Sequence, residues 1–261
     1  VIVIKNSMLF FDIDGTLIDD KQDLPKTTKA AIFQLIENGH EVAIATGRAP
    51  YMFEELRKEL DIHTYVSFNG QYVVVKDEVV YTNPLNREAL KLLTQMAEKN
   101  NHPIIYMDQY DMKANVLHHE FITEGLNSLA LTLESSPDPD FHKERDIFQS
   151  MLFIQDQEEV QYEQAFKDFK FVRWHPLSVD VDPAGGSKAK GIEKVMVHLG
   201  YSLDQMYAFG DGLNDIEMLS FVPNSVAMGN AHPLTKKAAK FITKSVDEDG
   251  IFYGLKMLGL L

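Results

Sequence analysis

The stretch that most narrows what this chain can become is Phe10-Phe11-Asp12-Ile13-Asp14-Gly15-Thr16-Leu17. Apolar residues from Met8 to Phe11 stop abruptly at two carboxylates two positions apart, and Gly15 and Thr16 follow at once. A short apolar run bounded by turn residues reads as a buried strand of a parallel sheet. Asp12 then falls at the carboxyl end of that strand, where open α/β sheets bind ligands. Gly15 allows a sharp turn just beyond it. A carboxylate in such a place is costly to desolvate unless a cation pairs with it. Mg²⁺ is the simplest partner, since it takes one or two carboxylates together with phosphate oxygens. Taken alone, Asp-x-Asp-Gly is equally a polar strand end followed by a turn; the rest of the chain decides between the two.

A helix is predicted from Thr27 or Thr28 as its cap, with Ala31, Leu35 and Ile36 at helical spacing and Asn38-Gly39 ending it. A second apolar strand, residues 41–45, ends in Thr46-Gly47-Arg48, and Pro50 opens the next helix. A third strand, 65–68, ends in Asn69-Gly70. This alternation is that of a doubly wound sheet. Residues 72–81 then read as a β-hairpin around Lys76-Asp77-Glu78. Residues 83–181 read as a separate α+β module: a helix over 88–99 with Leu92, Leu93 and Met96 on one face, strands at 104–107 and 112–117, a loop over 135–140, a strand at 151–155, a helix at 158–169, and a strand pair at 171–174 and 178–182 around Pro176. Helices at 188–199, 215–219, 233–239 and 249–258 and strands at 207–210 and 225–228 resume the first pattern. Residues 1–6 predict a strand or an extended arm. The fold class is α/β, a doubly wound core (1–82 and 182–261) interrupted by an inserted α+β cap domain (83–181).

Composition removes several classes of function. With no Cys among 261 residues there are no disulfides, no thiol catalysis and no Cys-bound metal, which suits a cytoplasmic setting. Lys plus Arg number 25 against 39 Asp plus Glu, and the net charge of −14 would repel nucleic acid and anionic lipid. No apolar run approaches the ~20 residues of a membrane-spanning helix. Neither Gly-x-x-x-x-Gly-Lys-Ser/Thr nor Gly-x-Gly-x-x-Gly occurs, so the usual nucleotide loops are missing. The nine His form no metal pattern; His118 and His119 are adjacent, so their side chains diverge.

Four segments together carry a resemblance. Asp12-Ile13-Asp14-Gly15-Thr16 resembles the nucleophile motif of the haloacid dehalogenase (HAD) superfamily, and Thr46-Gly47-Arg48 resembles its second motif. Lys188, in Ser187-Lys188-Ala189-Lys190-Gly191, resembles the third, and Gly210-Asp211-Gly212-Leu213-Asn214-Asp215 the fourth. Asn69-Gly70 and Ala227-Met228-Gly229-Asn230-Ala231 are similar to the Cof-type branch, subclass IIB with a C2-type cap. The resemblance implies a Rossmann-like core with a large cap between the second and third motifs. It also implies a Mg²⁺-dependent phosphatase acting on sugar phosphates or related small metabolites. Asp14 would hold the metal through its backbone carbonyl in that family.

The residues can be weighed against that implication. Asp12 is the candidate nucleophile, since a carboxylate can attack phosphorus and split one hard step into two. Asp14 is the candidate general acid and then base. Asp211 and Asp215, four apart after an apolar strand, are at once acids favoured at a helix N-terminus and candidate metal ligands beside Asp12 and Asp14. Four acidic groups would repel one another without a cation, so charge balance also points to Mg²⁺. Thr46 and Gly47 offer a hydroxyl and backbone N–H groups to phosphate, or an ordinary helix cap. Lys188 is preferred over Lys190 as the phosphate-side cation because Ile192 and Val195 then fall four and seven residues on, matching the apolar pattern of the family it resembles. Asn214 is a phosphate or Asp12 orienter. Arg48, Asn69 and Asn230 are candidates for contacts to substrate or to the acids, and Trp174 and His175 for substrate contact from the cap. The expected partner is a small phosphorylated metabolite, with no nucleic acid and no membrane, and the chain a monomer or weak homodimer. Two other functions remain open: a phosphotransferase or phosphomutase on the same scaffold, and a non-catalytic phosphosugar sensor.

Overall fold

The structure is a computed structural model that describes residues 6–261 apart from 130, 132, 134 and 135. The strand or arm predicted for 1–6 therefore lies, save for Asn6, outside the described residues, as does Ser135 of the predicted loop. The chain forms two compact units: residues 1–48, 52–82 and 187–261 make one, and residues 49–51 and 83–186 the other.

The first unit is built on an eight-stranded sheet. Its first half runs β1 (Met8–Phe11), α1 (Lys26–Glu37), β2 (Glu41–Ala45), a 3₁₀ turn at Pro50–Phe53, α2 (Glu54–Glu59), β3 (Thr64–Ser67), β4 (Tyr72–Val75) and β5 (Glu78–Thr82). All four β1 residues are fully buried, which is why the strand reads as an unbroken apolar run rather than an alternating one. Helix α1 begins one residue before Thr27, directly after Pro25, and no side chain caps it. Thr28 is buried, and the Thr27 hydroxyl donates to Asp249 Oδ1 at 2.5 Å.

The inserted unit holds α3 (Arg87–Lys99), β6 (Ile104–Met107), β7 (Met112–Ala114), α4 (Glu120–Ser128), β8 (Gln149–Leu152), α5 (Asp156–Ala165), β9 (Phe169–His175) and β10 (Ser178–Pro183). Its sheet has the order β7-β6-β8-β10-β9, every pair antiparallel. Leu90 and Leu93 of α3 and Tyr162 of α5 pack with Ile104, Tyr106, Leu152, Val179 and Val181 of the sheet into one core. The buried stripe of α3 is Leu90, Leu93, Thr94 and Ala97, while Leu92, placed on that face by the sequence, is 58% exposed. The true stripe follows the i, i+3, i+4, i+7 rule with a Thr and an Ala in it, which hides it from a search for large apolar residues. Strand β8 starts two residues earlier than predicted. Helix α5 starts at Asp156, where Glu158 accepts the Gln155 backbone N–H at 2.9 Å, and stops at Ala165. Helix α4 was not predicted at all.

The first unit resumes with α6 (Lys188–Leu199), β11 (Met206–Gly210), a 3₁₀ turn at Leu213–Asp215, α7 (Ile216–Phe221), β12 (Asn224–Ala227), α8 (Pro233–Ala238), β13 (Phe241–Ile242) and α9 (Gly250–Met257). The sheet order is β13-β12-β11-β1-β2-β3-β4-β5. Strands β13 to β3 are parallel, and β4 and β5 run antiparallel at the edge. β1 sits between β2 and β11, so chain order reverses there. The carboxyl ends at such a reversal splay their loops apart and leave a crevice. The Phe11 and Phe209 rings stack at 5.0 Å just beneath that crevice. Among the described residues no helix is long and apolar enough to cross a membrane.

Candidate active site

Two strand ends, one 3₁₀ turn and one helix start meet at this reversal. Asp12 follows β1, Asp211 follows β11, Asp215 closes the 3₁₀ turn ahead of α7, and Lys188 opens α6. Register fixes the first two: Phe11 pairs with Phe209, and the Asp12 N–H donates to Phe209 O at 3.0 Å. Asp12 is 6% exposed, and Asp215 and Lys188 are fully buried.

Lys188 Nζ donates to Asp12 Oδ1 at 2.6 Å and to Asp215 Oδ1 at 2.7 Å. Asp215 Oδ2 accepts the backbone N–H groups of Asp211 and Gly212, each at 2.9 Å. Asp215 is thus held at both oxygens. Asp211 Oδ1 accepts the Thr16 hydroxyl at 3.1 Å. The Asn230 amide donates to Gly15 O at 2.8 Å and reaches Asp211 Oδ2 at 3.4 Å. Gly15 has φ +70, and a Cβ on it would lie 2.3 Å from Asp211 Oδ2. Any side chain here would displace that carboxylate.

Helix α6 reaches this position because the turn after β3 lets it come close. Gly70 has φ +98, and a Cβ on it would stand 2.0 Å from the Ser187 carbonyl oxygen. Ser187, capping α6, accepts the Lys190 N–H at 3.4 Å. Ile192 and Val195 are fully buried on the helix's inner side, whereas Lys190 is exposed.

One carboxylate oxygen from each of Asp12, Asp211 and Asp215 lies within 4.8 Å of the others. These three acids face one ammonium group. Burial first, then the charge of Asp215, push the Asp12 carboxyl up to about 8 against the pull of Lys188, and Asp211 adds to the rise. Burial and Asp215 likewise push Asp211 up to about 6. Burial alone would lower Lys188, but Asp12 and Asp215 outweigh it and hold the ammonium above its ordinary range. The cluster is therefore short of positive charge. Hard carboxylate oxygens gathered at this spacing suit a divalent cation with a preference for oxygen.

Asp14 stands apart, with its side chain about half exposed. Arg48 grips it in a fork, Nε to Oδ2 at 2.9 Å and Nη2 to Oδ1 at 2.5 Å. Arg48 Nη2 also donates to Gln22 Oε1 at 2.5 Å, and Gln22 Nε2 reaches Asp14 Oδ1 at 3.4 Å. Thr46 is buried, and its Oγ1 accepts the Arg48 N–H at 3.1 Å, which leaves the hydroxyl proton to donate elsewhere. Asn69 has φ +52, and its Oδ1 accepts from Asn214 Nδ2 at 3.2 Å beside Gly47. The Asn214 bond thus goes to Asn69 and not to Asp12. Asn230 ties loops together, its Oδ1 also accepting the Val246 N–H at 3.0 Å.

Trp174 and His175 belong to the inserted unit, at the end of β9. His175 Nδ1 accepts the Leu177 N–H at 3.2 Å and closes the β9–β10 turn. The Trp174 ring packs beside Gly125 of α4. Two polar residues at the site carried no sequence assignment. Thr16 was legible from its place directly after Asp14-Gly15, but Gln22 had no signal, being an exposed residue in a polar loop.

Residues 9–255 match the family model for haloacid dehalogenase-like hydrolases. The chain is 46% identical over 256 residues to YkrA of Bacillus subtilis, which carries a provisional phosphatase name; the match covers 98% of this chain and 99% of that one. Among solved structures, a hypothetical protein from Geobacillus kaustophilus superposes with a TM-score of 0.96 at 50% identity, covering 98% of this chain and all of that one. BT4131, described as a subclass IIB sugar phosphatase, superposes at 0.84 with 30% identity, over 98% of this chain and all of the other.

Proposed function

The chain belongs to the haloacid dehalogenase-like hydrolases and is a phosphatase enzyme, and we propose that it hydrolyses small phosphorylated metabolites, sugar phosphates or close analogues, through an aspartyl phosphate on Asp12. The observation that carries this reading is Lys188 bridging Asp12 and Asp215 inside a cluster of three buried or half-buried carboxylates. Phosphate monoesters hydrolyse extremely slowly unaided, so the site must neutralise charge, align a nucleophile and protonate the leaving oxygen.

Asp12, Asp211 and Asp215 would hold Mg²⁺, with the Asp14 backbone carbonyl as the family pattern adds; the ion supplies neutralisation of the phosphoryl oxygens. The chain's own groups do the rest. Lys188 keeps Asp12 oriented and lends positive charge to the phosphoryl group. Thr46 and the backbone at Gly47 donate to its oxygens. An Asp12 oxygen attacks phosphorus as the bond to the ester oxygen breaks, and Asp14 gives that oxygen a proton. Asp14 then takes a proton from water as the water oxygen bonds to phosphorus and Asp12 departs as a carboxylate.

All four motifs lie outside residues 83–186, so the inserted unit is assigned the choice of leaving group, with Trp174 as its candidate contact; His175 is already engaged in a turn. Steady-state assay of the purified protein against a panel of phosphorylated metabolites, with p-nitrophenyl phosphate as reference, tests the proposal. Turnover that Asp12→Asn abolishes supports it. Turnover that survives Asp12→Asn, or none on any ester, removes it.

A further inference from the structure

Gln22 has no assigned role, yet the backbone bends unfavourably to place it. Its φ is +65, a conformation in which Gly or Asn would sit with less strain. The turn is closely built. Asp19 Oδ1 accepts the N–H groups of Lys21 and Asp23, both at 2.9 Å, the Gln22 N–H donates to Asp19 O at 2.9 Å, and the Asp19 N–H donates to Asp23 O at 3.1 Å. The loop is anchored to the motif itself, since the Gly15 N–H donates to Ile18 O at 2.9 Å and Asp14 bridges to Ile18. Strain at a non-glycine residue persists only where the surroundings over-determine it, and its side chain is the place to look for the reason.

That side chain meets the two groups that flank the proposed proton transfer. Gln22 Oε1 accepts from Arg48 Nη2, the same nitrogen that donates to Asp14 Oδ1, and Gln22 Nε2 faces that Asp14 oxygen. The Arg48 guanidinium is thereby fixed from two sides. An Arg held only by a half-exposed carboxylate is weakly constrained, because surface ion pairs contribute little and both long side chains lose freedom on pairing. A second acceptor on the same nitrogen removes the main alternative, a guanidinium that swings to solvent. We propose that Gln22 is a positioning residue: through Arg48 it aims the Asp14 carboxyl at the ester oxygen. The inference rests on the proposed role of Asp14 in proton transfer.

Gln22→Gly is the informative variant, since glycine accepts φ +65 without strain and removes only the side chain. On an alkyl phosphate, whose leaving oxygen needs a proton, kcat/KM, which covers only the steps up to departure of that oxygen and not the later hydrolysis of the aspartyl phosphate, should fall about tenfold, a part of the ~10²–10⁴-fold typical of the acid–base group it serves. On p-nitrophenyl phosphate, whose leaving group needs little protonation, the fall should stay under about twofold by the same reasoning. In an Arg48→Ala background Gln22→Gly should add nothing. Equal losses on the two esters, no loss on either, or a loss that persists without Arg48 would each overturn the proposal. A wild-type protein inactive on both esters would instead overturn the phosphatase reading. The positioning claim is then judged on nitrogen-15 spectra of Arg48, where a protected Nε–H in wild type should become exchange-broadened in Gln22→Gly, and an unchanged resonance would refute it.

Discussion

Replacing Asp12 by Asn should stabilise the metal-free protein while destroying its activity. Asp12 is 6% exposed, and its carboxyl is raised from 3.8 to about 8 by burial and by Asp215. A carboxyl raised in this way favours folding in its protonated form. Its contribution is intact below about pH 4 and is lost as pH climbs through about 8, because the unfolded chain releases a proton that the folded chain must retain or replace with unpaired charge. At pH 7.5 the gap to the unfolded value, at 1.36 kcal/mol per pKa unit, sets an upper limit of about 5 kcal/mol. Relaxation of the site and the effective dielectric around it reduce this to on the order of 2–3 kcal/mol. Asparagine has nearly the same shape, carries no charge, and keeps an oxygen to accept from Lys188. At ~2–4 °C per kcal/mol for a chain of this size, the chelated variant should melt about 5–10 °C above wild type at pH 7.5. Thermal unfolding followed by circular dichroism at pH 5.0 and 7.5, each with EDTA and with Mg²⁺, reads this out. The gain should shrink to about a third at pH 5.0, and Mg²⁺ should raise wild type far more than the variant. A variant no more stable than wild type at pH 7.5, or a gain that grows toward acid, would refute the reasoning.

Lys188→Ala should cost about 3–5 kcal/mol, because it strands two buried carboxylates, while Lys190→Ala should stay within about 0.5 kcal/mol; paired denaturant titrations compare them, and equal losses would contradict the ion-pair geometry. Activity should require Mg²⁺, vanish in excess EDTA, and be inhibited by Ca²⁺, whose larger and looser coordination would misplace Asp12; full turnover in EDTA would remove the metal from the mechanism. Asp14→Asn should fold normally and bind inorganic phosphate, yet lose ~10²–10⁴-fold in kcat/KM on alkyl esters and much less on p-nitrophenyl phosphate, because kcat/KM ends at departure of the leaving oxygen; wild-type turnover of the alkyl ester would reassign the acid.

The core was legible because its information is local. Three of the parallel strands are largely apolar runs that stop at a proposed site residue: Phe11 before Asp12, Ala45 before Thr46, Gly210 before Asp211. A charged or hydroxyl residue after such a run marks a strand end and, in a parallel sheet, the ligand-binding end. What was illegible depends on contacts distant in sequence. Leu92 and Leu93 look equivalent on paper, and only packing against the sheet decides that one is exposed and the other buried. Helix α4 buries Ile122, Gly125 and Leu126, and a glycine at the centre of its stripe conceals it. Gln22 owes its place to a bent turn and a bond to a residue 26 positions away, which no composition rule registers.

The position of β1 between β2 and β11 also governs the order in which the chain can mature. Asp12 and Lys188 are 176 positions apart, and Thr16 and Asp211 are 195. None of these contacts exists until the ribosome has delivered α6 and β11. By then the inserted unit is fully synthesised, and its antiparallel sheet, closed over short separations, can fold while the first unit is still half made. During that interval β1, wholly apolar, has β2 on one side and no partner on the other, an open edge of the kind that recruits strands from neighbouring chains. Arrival of β11 closes the edge and assembles the carboxylate cluster in the same event. Catalytic competence and protection from aggregation should therefore appear together and late in synthesis.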